Sequence, residues 1–317
     1  MTTKNRPLQA LRLLTRQSGW IALAGWTASV AGWLLTVTGH APPAGVARLV
    51  AVVAIAATLV RIARLRHPER PLLTALVVVA LAFGFVGLGH EVGKGYYTDE
   101  GHYLHHAREV RSGELFSRSF VYPHLSYYRD AFALYLADLF PGPRAVLYAL
   151  YGVRDGDVGE WLLLRLVTAG LGALTLVPVF LLAYRVAGST AAALAGLLQI
   201  FSVHYQEGFQ VNICDVPSAA FAALSLYFVG RLLDEERTAD YLLAGFAAAL
   251  AAASKYPAGT VAVAIVGIWV VHRVRRRDLR WGLLGAGLVS LATFLALNPS
   301  LFVHTEAAIH GRRGLSL

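Results

Sequence analysis

The feature that most limits how this chain can fold is a series of long apolar stretches separated by short loops rich in Arg and Lys. Their lengths bracket the roughly 20 residues that an α-helix needs to cross a bilayer. Only 15% of the 317 residues are charged, whereas soluble domains are about 25% charged. The stretches are residues 18–38, 46–62, 71–89, 161–184, 187–204, 215–231, 240–254, 258–272 and 281–298. The sequence therefore predicts an all-α, polytopic transmembrane helical bundle of about nine helices.

The basic loops orient this bundle. Segments 4–16, 61–70 and 272–280 are dense in Arg and Lys, and an even number of predicted spans separates each from the next. All three therefore fit on the cytoplasmic side, which places the N-terminus there and makes residues 90–160 a long extracytoplasmic loop. The same rule explains the net charge of +9 without a nucleic-acid partner. The Ala-, Leu-, Gly- and Arg-rich composition is typical of a bacterial protein, which favours the bacterial inner membrane.

The loop opens with "YTDEGHYLHHAREVRSG", a pattern typical of a short amphipathic helix at the membrane surface. Thr98 is suited to cap it, Asp99 and Glu100 fall in the first turn, and Gly113 is suited to end it. The acidic pair is thus explained equally well by helix capping and by a functional site. A second amphipathic helix follows Pro123 and ends before "PGP", and residues 154–161, "RDGDVGEW", are expected to form a solvated turn.

Histidines and tyrosines cluster in this loop. His102 and His106 are four residues apart on one helix face, which leaves a divalent metal open. Glu109 and His124 are the nearby candidates for further ligands, and the alternative is that the imidazoles form an interfacial polar face. The aromatic cluster of Tyr122, Tyr127 and Tyr128 fits an interfacial anchor or a substrate groove equally well.

Charged residues from distant segments are predicted to meet at the loop face of the bundle. Asp99, Glu100, Asp215 and Lys255 all map there, and Pro257 predicts a tight turn just after Lys255. The predicted spans carry no Asp or Glu near the bilayer midplane, which disfavours an ion-coupled transporter.

Five segments in this order resemble the dolichyl-phosphate-mannose protein mannosyltransferase-like superfamily of GT-C fold glycosyltransferases, which includes the lipid A aminoarabinose transferases. They are "YTDEGHYLHHAREV", "YPHLSYYRDAFALYL", the Arg165-containing "WLLLRLVTAGLGALTLVPVF", "QVNICDVPSAAF" and "ASKYPAG". The resemblance covers about residues 70–300. It implies a GT-C-like core over 71–317, including loop 90–160, preceded by two extra helices within 1–70.

The resemblance also implies a function. It implies a polyprenyl-phosphate-linked sugar donor and inverting transfer to an acceptor hydroxyl on the extracytoplasmic side, with the acceptor unspecified. By the same resemblance Asp99 is the general base, Glu100 its partner and Asp215 a second acidic residue. Arg165 and Lys255 correspond to cations that hold the lipid phosphate. Such a mechanism is chemically coherent, since an attacking hydroxyl needs a nearby carboxylate and a departing phosphate needs fixed cations. The groove candidates are Tyr122, His124, Tyr127 and Glu207.

Two departures from the family pattern leave an alternative open. His124 stands where the family has a second proline, and the aminoarabinose transferases' acidic and Lys positions are Val121 and Tyr122 here. Family members usually continue beyond the position of Leu317, so a further C-terminal half or a partner subunit is expected. The alternative is a non-catalytic membrane subunit or a polyprenyl-phosphate-binding scaffold with the same fold.

Overall fold

The structure is a computed structural model that describes residues 69–89, 98–117, 119–154, 156–234, 236–276 and 281–305, with Val92 and parts of 24–53. Every regular element among these residues is a helix, which confirms the predicted all-α class. The α-helices are α1 (Arg70–Gly87), α2 (Thr98–Arg111), α3 (Leu125–Leu139), α4 (Pro141–Tyr151), α5 (Asp157–Ile200), α6 (Val203–Phe209), α7 (Asp215–Leu232), α8 (Thr238–Ser254), α9 (Ala262–Arg276), α10 (Gly282–Leu297) and α11 (Ser300–Val303). A 3-10 helix, Tyr256–Val261, precedes α9.

The apolar helices fall where the sequence predicts membrane spans. Among the described residues, three segments are long and apolar enough to cross a membrane, namely Arg70–Gly87, Asp157–Ile200 and Tyr256–Val274, and α8 and α10 are shorter apolar helices. The predicted spans at 18–38 and 46–62 lie largely outside the described residues. The described residues of those two spans that have a regular structure are helical, with Trp33 packed edge-on against Phe132 of α3.

Two breaks in the apolar sequence are visible in the backbone. α5 bends sharply at Ala187 and Gly188, where Gly188 has φ 77° and ψ −168°. A positive φ of this size favours glycine, so the predicted separation of 161–184 from 187–204 is confirmed. After α8 the chain is extended at Lys255 (φ −151°, ψ 119°), and Pro257 lies in the first turn of the 3-10 helix. The predicted turn at Pro257 is confirmed as well.

The bundle packs around small residues. α8 lies against α7 on one side and α10 on the other, and α5 packs against both α1 and α7. At the α8–α10 contact, a Cβ on Gly245 would come within 2.4 Å of the Ala286 carbonyl oxygen. Only glycine allows the two helix backbones to approach this closely, as is common between membrane helices.

The loop helices cover one end of this bundle. α2 starts at Thr98 and ends at Arg111, with Gly113 (φ 108°) just beyond, as predicted. Its apolar face packs against α3 and α5 in a single buried cluster. The members of that face are Tyr103, Leu104, Ala107 and Val110. α2 therefore packs on protein through this face, and the side chains fix its orientation over the bundle.

Two features of the loop differ from the sequence prediction. α4 was not predicted; it begins at Pro141 and ends at Tyr151, and Gly152, with φ 64°, is its left-handed C-terminal cap. The solvated turn at 154–161 was wrong in part, because α5 already begins at Asp157. Arg108 of α2 pairs with Asp157 and Glu160 there at 2.5 and 2.6 Å, so this first turn of α5 helps to hold α2.

Candidate active site

Asp99 is an exposed carboxylate that is oriented by a neighbouring tyrosine. The Tyr122 hydroxyl donates a hydrogen bond of 3.0 Å to Asp99 Oδ2. Burial first, and then this hydrogen bond, raise the pKa of Tyr122 to about 12, so the phenol remains a donor at neutral pH. The first turn of α2 exposes Asp99 to solvent. The alternative explanation from the sequence, that Asp99 helps to cap α2, is compatible with this position.

Asp215 and Lys255 form an ion pair beside Asp99. The Lys255 ammonium donates to Asp215 Oδ1, and both side chains remain partly exposed. This bond raises the pKa of Lys255, and the Asp99 carboxylate acts on Lys255 in the same direction. Asp215 likewise contributes to the raised pKa of Tyr122. The structure thus brings Asp99, Tyr122, Asp215 and Lys255 within electrostatic reach of one another, from four separate segments of the chain.

Glu100, the other member of the acidic pair, points into the protein and meets Arg165. Arg165 Nε and Nη2 donate to Glu100 Oε1 and Oε2 at 2.8 and 2.6 Å, a bidentate pair. Both side chains are at most 5% exposed. Arg165 Nη1 also donates to the Leu88 carbonyl oxygen at 3.1 Å. The predicted phosphate ligand therefore holds α5 to α2 and to the end of α1, instead of lying open beside Lys255.

Asn212, which was not predicted from the sequence, links the Glu100–Arg165 pair to a second ion pair, Arg129–Asp130. Its backbone N–H donates to Glu100 Oε1 at 2.7 Å, and its side-chain amide donates to Asp130 Oδ2 at 2.7 Å. Asn212 Oδ1 accepts from Arg129 at 2.6 Å and from Thr168 at 2.8 Å. One amide residue thus ties the segment before Asp215 to α2, α3 and α5. The only sequence signal for it was a polar residue in the otherwise apolar "VNIC".

The aromatic groove candidates divide into one accessible residue and two buried ones. Tyr122 is half-buried at the site, whereas Tyr127 and His124 are completely buried. His124 makes its contacts through its backbone N–H, which donates to Asn298 Oδ1 at 3.0 Å, and through Nε2, which lies 3.2 Å from the Ser117 carbonyl oxygen. His124 therefore connects the loop to the end of α10, and it does not line a groove in this structure.

The histidines of α2 are arranged differently from the predicted metal pair. His102 Nε2 lies 2.8 Å from the Tyr127 hydroxyl. Burial and the adjacent His106 ring lower the pKa of His102 to about 4, so this imidazole is neutral at physiological pH. His106 instead approaches Glu109 at 2.5 Å, and His105 approaches the same carboxylate at 3.2 Å. The structure thus groups His105 and His106 with Glu109, and directs His102 to a tyrosine.

Glu207 and Asp215 line a cavity of about 470 Å³ between α5, α6 and the start of α7. Its other walls include Thr175, Tyr205 and Ile213. Glu207 is exposed and lies 3.5 Å from His204 on the same short helix. The structure therefore brings Glu207 and Asp215 to a shared cavity, which extends from Asp215 along α5.

The comparisons agree with the resemblance in the sequence. The model of the dolichyl-phosphate-mannose-protein mannosyltransferase family matches residues 147–298, just under half of the chain. No curated protein matches the chain significantly. Among solved structures, the chain is similar to the S. cerevisiae protein O-mannosyltransferase Pmt1-Pmt2 complex bound to the sugar donor, with a TM-score of 0.53 at 19% identity. That match covers 77% of this chain and 34% of the yeast chain.

The predicted GT-C fold is therefore confirmed, and the family match over residues 147–298 is consistent with the predicted superfamily relationship. The chain is a multi-pass, GT-C-type helical membrane protein that resembles the mannosyltransferases, and it spans about a third of the length of the solved relative.

Proposed function

We propose that this chain is the membrane-embedded catalytic part of a glycosyltransferase that moves a sugar from a polyprenyl-phosphate carrier to an acceptor hydroxyl. The observation that carries the proposal is the convergence of Asp99, Tyr122, Asp215 and Lys255 at the end of the bundle covered by the loop helices. This group of residues combines an accessible carboxylate, Asp99, with an accessible ammonium, Lys255. These are the two charges that the transfer requires.

Asp99 acts as the general base in this proposal. The acceptor oxygen attacks the anomeric carbon, its proton passes to Asp99, and the bond between that carbon and the phosphate oxygen breaks. A single displacement of this kind inverts the anomeric configuration and needs no covalent intermediate. The Tyr122 hydrogen bond occupies one face of Oδ2 and orients the carboxylate, which still has lone pairs for the acceptor hydroxyl.

Lys255 stabilises the departing phosphate, and Asp215 positions Lys255. The ion pair with Asp215 keeps Lys255 protonated, so it offers a fixed positive charge where negative charge develops. Both side chains are about half or less exposed, which allows contact with a headgroup at the membrane surface. The cavity that Asp215 shares with Glu207 provides space for the sugar beside this cation.

Glu100 and Arg165 form a buried pair next to the site and hold its helices in place. In this proposal they are positioning residues, because they are buried and paired with each other. By the distribution of Arg and Lys between the loops, the site faces the extracytoplasmic side and the N-terminus is cytoplasmic. The Ala-, Leu-, Gly- and Arg-rich composition favours the bacterial inner membrane. The proposal also includes an acceptor whose class is not specified and a further C-terminal half or partner subunit that completes the site.

The direct test is Asp99→Asn in the full-length protein, assayed in membranes with a radiolabelled polyprenyl-phosphate sugar. We expect transfer to fall by about 10²–10⁴-fold, the usual contribution of a general base. Asp157→Asn is the matched control, since Asp157 is an exposed carboxylate paired with Arg108 away from the site. It should retain transfer.

Two outcomes would contradict the proposal in different ways. If Asp99→Asn keeps full transfer activity, the base assignment is wrong. If the wild-type protein binds the polyprenyl phosphate but transfers sugar to none of a broad set of hydroxyl acceptors, the non-catalytic scaffold is favoured instead.

A further inference from the structure

A group of three potential metal ligands lies on α2, outside the proposed active site. His105, His106 and Glu109 each contribute one ligand atom, and these atoms all lie within 4.8 Å of one another. Among the residues that the structure describes, no other three His, Cys, Asp or Glu side chains approach so closely. None of the three has a role in the proposed transfer.

The geometry of the group suits a first-row divalent cation. Glu109 directs one carboxylate oxygen to each imidazole, with Oε1 3.2 Å from His105 Nε2 and Oε2 2.5 Å from His106 Nδ1. Zinc bonds to nitrogen and oxygen are about 2.0–2.2 Å long, so neighbouring ligands of a tetrahedral ion are about 3.4 Å apart. The 3.2 Å between Glu109 Oε1 and His105 Nε2 is close to this ligand spacing. The 2.5 Å between Glu109 Oε2 and His106 Nδ1 is a hydrogen-bond distance, and a bound ion would replace the shared proton.

This group of three side chains has one buried, rigid side and one side that is open to solvent. The His106 side chain is only 11% exposed, and its ring lies against Tyr127 with centroids 4.6 Å apart. The Ser117 hydroxyl oxygen is 3.3 Å from His106 Nδ1 and offers a further oxygen. The His105 side chain is 68% exposed, so an ion can enter from solvent and keep a water ligand there.

We propose that His105, His106 and Glu109 bind a divalent cation of the zinc or manganese class, which fixes the C-terminal half of α2 to the segment carrying Ser117. Two imidazoles with one carboxylate are a common ligand set for such ions. The site lies about two to three turns of helix beyond Asp99, on the same element. Its role is therefore structural: it stiffens the helix that carries Asp99.

A simple His–Glu side-chain pair on a helix is the competing explanation, and the chain contains a matched example. His204 and Glu207 on α6 are also three residues apart and 3.5 Å from each other, but they lack a third ligand. His–Glu pairs of this spacing stabilise helices without any ion. The two clusters therefore allow metal binding to be separated from ordinary pairing.

The test uses the full chain, purified in detergent through a tag without histidines and treated with EDTA. Zn²⁺ and Mn²⁺ are titrated separately, with bound metal measured by mass spectrometry and affinity by competition with a chromogenic chelator. We expect one ion per chain, a higher melting temperature with metal, and affinity at least tenfold lower in His105→Ala and Glu109→Gln. His105 is exposed, so its variant should fold even if Glu109→Gln does not.

The control variant is His204→Ala, which should bind metal like the wild-type protein. The proposal is overturned if neither metal binds at one equivalent, if His105→Ala binds as tightly as the wild type, or if His204→Ala lowers the affinity as much as His105→Ala does. All of these readouts are independent of sugar transfer, so they stand whether or not the proposed enzymatic activity is found.

Discussion

Glu100→Gln is expected to destabilise the fold strongly, although the change is nearly isosteric. Glu100 accepts two hydrogen bonds from Arg165 and one from the Asn212 backbone N–H. Glutamine keeps one acceptor, but its amide group would face the Arg165 donors. The guanidinium would then be buried with no compensating charge.

The size of the effect follows from this burial. Removing one partner of a buried ion pair costs about 3–5 kcal/mol of unfolding free energy, because the other charge remains desolvated. The Arg165 and Glu100 side chains are 2% and 5% exposed, so solvent screening reduces this little. The double variant Glu100→Gln/Arg165→Met removes both charges and should be more stable than either single variant. Asp157→Asn, which breaks an exposed pair, should cost about 0–1 kcal/mol.

Reversible unfolding in mixed detergent and SDS micelles, followed by circular dichroism, measures these differences. The reasoning is refuted if Glu100→Gln unfolds within about 0.5 kcal/mol of the wild type, or if the two single variants simply add in the double variant. The same variants test the phosphate role that the family resemblance assigned to Arg165. If Arg165→Met lowers donor affinity without affecting stability, Arg165 is a ligand of the phosphate after all.

Three further results are expected. Tyr122→Phe should lower kcat for sugar transfer about fivefold with little change in donor affinity, because Asp99 loses an orienting hydrogen bond worth about 1 kcal/mol; unchanged kcat would contradict this. The pKa of His102 is lowered from 6.5 to about 4 on folding, so the stability that is complete above pH 6.5 should be lost as the pH falls toward 4. Melting temperatures of His102→Gln should show a flatter pH dependence over this range. Gly245→Ala should cost about 1–3 kcal/mol because its Cβ meets the Ala286 backbone, whereas Gly287→Ala, with open space around it, should be neutral or stabilising.

The sequence predicted most of the bundle because its signals are local. Apolar stretches of bilayer length predicted the spans, the gap between 161–184 and 187–204 fell close to the bend at Gly188, Pro257 marked the turn after α8, and Gly113 marked the end of α2. α4 was missed because its short apolar face is interrupted by prolines and glycine at its start. The start of α5 at Asp157 was missed because "RDGDVGEW" resembles a turn, and the partners that make it a helix terminus lie on α2.

The site was predictable only in part because its residues meet through tertiary contacts. Topology placed Asp99, Asp215 and Lys255 at one face, and the structure brings them together. Topology could not distinguish Glu100, which points inward to Arg165, from Asp99 one residue earlier, which points outward. Asn212 has no distinctive local pattern, and its importance appears only when four segments converge on one amide.

The contacts of Asn212 and Arg165 also have a consequence for biosynthesis. Arg165 enters the bilayer 65 residues after Glu100 has been synthesised, so its counter-charge already exists when the helix inserts. Arg165 lies near the start of its span, so its insertion costs less than the roughly 2.5–3.5 kcal/mol of an Arg at the centre of a helix, and early pairing offsets part of this cost. Asn212 follows Glu100 by 112 residues, and its bonds form only when the next segment emerges from the ribosome. A nascent chain stopped before residue 212 would therefore contain Glu100 and Arg165 but lack the Asn212 bonds that hold Glu100 and Asp130.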